Sequence, residues 1–146
     1  MDAVTIKNLV LAALAALGSA AANAMGGWDA VMKVLVALMA ADYLTGMAVV
    51  ALWKRSPKSE TGTLNSRAGF QGLAKKGSIL LIVWVGHLLD TAMGCDYIRT
   101  AVILFFSGNE GLSLLENLGL MGVPYPAFLR QALEVLQKQG DQGGKK

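Results

Sequence analysis

The chain has 146 residues, of which 54% are hydrophobic and 16% charged, with a net charge of +3. Its mean hydropathy of +0.48 is too high for a globular domain with a water-facing exterior, so the composition points to membrane helices and leaves room for one small bundle. The single cysteine, Cys95, excludes an intrachain disulfide and a cysteine metal cluster, and the basic residues gather between apolar runs, a placement that favours membrane topology over nucleic acid.

Four apolar segments, residues 9–25, 31–53, 77–93 and 100–123, each approach the ~20 residues that a helix needs to cross the hydrocarbon core. The first is mostly Ala and Leu with Gly18, Ser19 and Asn23, which suits close packing through small residues. Its Ala22-Asn23-Ala24 also fits a leader-cleavage pattern, although Asp2 and a lone Lys7 make a poor leader start. The loop 54–76 carries Lys54, Arg55, Lys58, Arg67, Lys75 and Lys76 against Glu60 alone. Basic loops stay in the cytoplasm, and these cations are expected to bind anionic lipid headgroups, each contributing on the order of 1 kcal/mol. Within this loop Ser56-Pro57 breaks the preceding helix, and residues 65–76 form a short helix of their own. Gly69, Gly72 and Lys75 lack phosphate-loop spacing.

Beyond the fourth segment, Gly122-Val123-Pro124-Tyr125-Pro126 stops the helix, since proline cannot continue the hydrogen-bond ladder. Residues 126–139 then place Phe128, Leu129, Ala132, Leu133 and Leu136 on one side and Arg130, Gln131, Glu134 and Lys138 on the other. This spacing predicts an amphipathic helix on the membrane or against a neighbour, followed by a disordered basic tail at 140–146. The expected fold is all-α: an integral membrane bundle of about four spans, with both termini in the cytoplasm. Three spans with an external N-terminus is the alternative.

Ionisable groups inside apolar segments cost roughly 2.5 to 3.5 kcal/mol at the bilayer centre and face protein or water. Asp42 lies in the middle of the second segment and shares a face with Thr45 and Gly46. Both interhelical contact and pore lining fit it. In the fourth segment Asn109, Glu110, Ser113, Glu116 and Asn117 occupy one arc of roughly 120°, which other spans, other subunits or water must cover. An interfacial helix with snorkelling glutamates is the other reading. His87 and Asp90 sit one turn apart near the outer end of the third segment, where interhelical hydrogen bonds are expected rather than a metal pair. No catalytic constellation and no cofactor motif emerges.

Three motifs stand out: Asp42-Tyr43-Leu44-Thr45-Gly46; Ser66-x-x-Gly69-x-x-Gly72-Leu73-x-x-Lys76; and Asn109-Glu110-Gly111-Leu112-Ser113-Leu114-Leu115-Glu116-Asn117 leading to Gly122-Val123-Pro124. Over residues 36–136 the chain resembles the phage holin family that includes the clostridial toxin-secretion holins. The Asn109–Asn117 run is the specific part. The resemblance implies a non-enzymatic protein of the bacterial inner membrane that oligomerises and forms lesions. These lesions collapse the membrane potential and release an endolysin or toxin without need of direct contact. A small proton-coupled transporter and an antiholin or scaffold subunit stay open as alternatives.

Overall fold

A computed structural model describes residues 1–53 and 66–143. Lys54, Arg55 and Lys58 of the basic loop, and Lys145 and Lys146 of the tail, lie outside the described residues. Helix α1 covers Ala3–Ala24 and begins where the Asp2 carboxylate accepts the Thr5 N–H at 3.0 Å. Gly26 and Gly27 then turn the chain with φ of +90° and +104°, values that favour glycine. Helix α2, Ala30–Ala48, starts on Asp29, whose carboxylate accepts the Met32 N–H at 3.0 Å. It runs into a π-helical turn, Val49–Trp53. Helices α3 (Ser66–Met93), α4 (Ile98–Leu120) and α5 (Ala127–Gly143) follow, and no strand occurs among the described residues.

Among the described residues, three helices are long and apolar enough to cross a membrane: α1, α2 continued by its π turn, and α3. Helix α4 is not among them, since Arg99, Asn109, Glu110, Glu116 and Asn117 interrupt its apolar sequence. It is nevertheless the centre of the bundle, packing against α2, α3 and α5. Met32, Leu35 and Met39 of α2, Ile79 and Val83 of α3 and Ile103 of α4 form the apolar core. Helix α1 has no buried residue and presents its whole length outward.

Two boundaries differ from the expectation. The short helix at 65–76 and the span at 77–93 are one 28-residue helix, α3. Gly69 and Gly72 lie within it and face Tyr43 of α2: the Tyr43 hydroxyl donates to the Gly69 carbonyl at 3.4 Å, and a Cβ on Gly72 would lie in ordinary contact with the ring at 3.5 Å. At the other end, the helix expected to stop at 139 continues to Gly143. Its neighbour is α4, to which it runs antiparallel. Gly140 is buried there against the backbone of Ala101 and Phe105, and a Cβ on Gly108 would lie 2.6 Å from the Leu133 carbonyl. Glycine on both helices brings the two backbones together, and that contact carries the helix through 140–143 instead of leaving a disordered tail.

Candidate functional site: a buried ionic core

The middle of α3 carries a stripe, Lys76, Ile79, Val83, Gly86 and Asp90, spaced by three and four residues and turned toward α4. Lys76 opens this stripe, and its ammonium joins two carboxylates from different helices. Its Nζ donates to Asp42 Oδ2 of α2 at 2.8 Å and to Glu110 Oε2 of α4. Glu110 is 3% exposed and Asp42 6%, so both charges have left water and rely on this shared cation. Lys76 was expected among the headgroup-binding cations. It turns inward instead, because two acids face it across the bundle. Arg67 and Lys75, on the same helix, are exposed as a headgroup contact requires.

One helical turn beyond Asp42, the buried Asn117 amide ties α4 to α2 a second time. Its Nδ2 donates to Asp42 Oδ1 and to the Asp42 carbonyl, both at 3.1 Å, and to Thr45 Oγ1 at 3.0 Å. Thr45 in turn donates to the Ala41 carbonyl at 2.7 Å. Gly46 completes the notch, since a Cβ there would meet Asn117 Nδ2 at 3.6 Å. Asp42, Thr45, Gly46, Glu110 and Asn117 are thus brought together by α2 and α4.

The remainder of the polar arc goes elsewhere. Asn109 accepts from Gln137 Nε2 of α5 at 3.1 Å, and Ser113 is half-buried on the α4 surface. Glu116 is exposed, outside the ionic core, because it points about 100° away from Asn117.

A second polar cluster closes the opposite end of the bundle. The Asp90 carboxylate accepts the backbone N–H groups of Ile98 and Arg99, each at 2.9 Å, and the Cys95 thiol at 3.1 Å. It thereby caps the start of α4 from α3. Arg99, 7% exposed, reaches back across α2: its guanidinium donates to the Met25 carbonyl, to the Gly27 carbonyl at 3.0 Å and to Asp29 Oδ2 at 2.7 Å. The hydrogen bond from Arg99, against a smaller opposing effect of burial, holds the Asp29 carboxyl below its ordinary value. Burial, with the bond to Asp90, pushes the Cys95 thiol up. His87 belongs to this end too, since a Cβ on Gly26 would lie 2.8 Å from its Nδ1.

Sequence reasoning did not single out Arg99. The signal was present: an arginine at the end assigned to the external side, against the usual charge bias, needs acidic partners. Asp29 and Asp90 are at that same end.

Chemically, the arrangement holds charge and polarity inside a bundle that includes helices apolar enough to cross a membrane. A sequence profile of the bacteriophage holin family matches residues 19–138. An uncharacterised protein of Clostridium perfringens is 38% identical over 118 residues, covering 80% of this chain and 82% of that protein. An uncharacterised protein of Listeria innocua is 36% identical over 119 residues, covering 80% of this chain and 79% of its own length. A relative from Bacillus phage phi105, described as a probable holin, is 34% identical over 112 residues, or 76% of this chain and 77% of that protein. No solved structure matches the chain. The matched residues run from the end of α1 into α5 and include the ionic core as well as the Arg99 clamp, and on that match the chain belongs to the bacteriophage holin family.

Proposed function

We propose that this protein is a phage-type holin of the bacterial inner membrane, with copies assembling into lesions that dissipate the membrane potential and release an endolysin or toxin at a set time. The observation that carries the reading, beside family membership, is the Asp42–Lys76–Glu110 core. Pairing Asp42, Lys76 and Glu110 within one chain keeps these three charges off the lipid-facing surface while the protein accumulates, as a holin must before it opens. An assembly that admits water between α2, α3 and α4 hydrates the same charges and removes the desolvation penalty that held them together. The core is then stable in two environments, a closed bundle and a wet lesion. Anionic headgroups are the proposed partners of Arg67 and Lys75, and the released enzyme needs no contact with the lesion.

Induced expression in bacteria beside a cytosolic endolysin without an export signal tests this, with culture density and membrane potential followed together. Abrupt lysis at a reproducible delay, with the potential collapsing at that moment, is the expected result. Continued growth with intact potential, despite insertion confirmed by fractionation, would overturn it in favour of a transporter or antiholin.

A further inference from the structure

We infer that α5 crosses the membrane beside α4 as the second arm of a helical hairpin, with its charged face on water, so that the end of α5 emerges on the Arg99 side. The inference rests on α2 and α3 spanning the membrane, and not on lesion formation. Helix α4 has no freedom of depth relative to α2. Near its start Arg99 is bound to Asp29 and Gly27, and roughly 27 Å further along it Asn117 is bound to Asp42 and Thr45. Helix α5 has no freedom of depth relative to α4. Leu133 packs where Gly108 and Gly111 leave room, Gly140 lies on Ala101 and Phe105, and a Cβ on Gly143 would lie 2.8 Å from that of Ala101. Contacts this close need glycine at both ends and cannot slide by a turn.

Ala101 is two residues from Arg99, so the 17 residues of α5, about 26 Å of helix, end at the level of the Arg99 clamp. A helix lying flat at the opposite surface would touch α4 at one end only.

The surface of α5 divides three ways. Leu133, Gln137 and Gly140 meet α4. Phe128, Ala132 and Val135 are exposed and apolar on one flank, suited to lipid. Arg130, Gln131, Lys138 and Asp141 are exposed on the other, where Arg130 pairs with Glu134 at 3.3 Å. Hydrocarbon cannot solvate that flank. The occupant it fits is a water column shared with the same flank of further copies of this chain.

Cysteine accessibility decides the matter. In a Cys95→Ser background, three exposed positions are changed singly: Asp96→Cys beside the Arg99 clamp, Ser66→Cys at the opposite end of α3, and Gln142→Cys on α5. Spheroplasts are treated with a membrane-impermeant maleimide before potential is lost, and detergent-treated samples report total thiol. Gln142→Cys is expected to label with Asp96→Cys, to at least 80% of total thiol, while Ser66→Cys stays below a tenth. Gln142→Cys labelling with Ser66→Cys, only after permeabilisation, would overturn the crossing whether or not the protein lyses cells. Along α5, Lys138→Cys is expected to react with a charged methanethiosulfonate at least tenfold faster than Val135→Cys. Equal rates would overturn the aqueous face.

Discussion

Replacing Lys76 by methionine keeps an unbranched apolar stem on α3 and removes the ammonium that Asp42 and Glu110 share. Two oxygens bound to one ammonium sit about 4 Å apart. Once it is gone, like unit charges at that spacing repel by about 4 kcal/mol at an effective dielectric constant of 20. That agrees with the roughly 3 to 5 kcal/mol lost when one partner of a buried ion pair is deleted. The Lys76→Met variant should therefore lose about 4 kcal/mol in reversible unfolding, read by circular dichroism in mixed micelles titrated with a denaturing detergent. Adding Glu110→Gln removes one of the two stranded charges, so the double variant should regain at least half of the loss. The cycle is informative because Lys76 and Glu110 touch each other directly. A Lys76→Met protein within 1 kcal/mol of the parent, or a Glu110→Gln change that adds to the loss, would refute the shared-cation account.

Three further outcomes follow from the same geometry. Asn117→Ala leaves Asp42 without its amide donor and should cost about 1 to 3 kcal/mol in the same unfolding measurement. Gly108→Ala places a methyl group 2.6 Å from the Leu133 carbonyl and the Gln137 nitrogen, so α5 must shift, and protease cleavage within α5 should accelerate several-fold with α2 and α3 intact. Because Arg99 holds the Asp29 carboxyl below its ordinary value, the stability it supplies is complete above the unfolded carboxylate pKa and fades as pH falls through the lower folded value. Asp29→Asn should flatten the acid limb of a stability profile taken from pH 6 to pH 2.

Helical periodicity made much of this bundle legible. Glu110 and Asn117 are two turns apart and sit on one line of α4, and Asp42 shares a face with Thr45 and Gly46; all five meet in the structure. Glu116 fell within the same sequence arc yet faces outward, because α2 and α3 cover a narrower strip of α4 than the arc spans. Lys76 was hidden by its company. It follows Lys75 in a basic stretch, and both of its acids lie 34 positions away. Stepping back from Asp90 by fours and threes, through Gly86, Val83 and Ile79, would have landed on it. The seating of α5 was not legible. An amphipathic pattern says that one flank must be covered, not by what, and only the paired glycines at Gly108 and Gly140 decide it.

Vectorial synthesis gives the Asp42–Lys76 bond a separate importance. The chain leaves the ribosome N-terminus first, so α2 and α3 reach the translocon carrying Asp42 and Lys76, an acid and a base that neutralise each other. Glu110 and Arg99 arrive later, on a helix that is not among those long and apolar enough to cross a membrane. Both find partners waiting on segments made earlier: Lys76 for one, Asp29 for the other. If the preceding hairpin templates membrane entry of α4, a ribosome-nascent chain truncated just after α4 should lose that entry when Lys76 is removed.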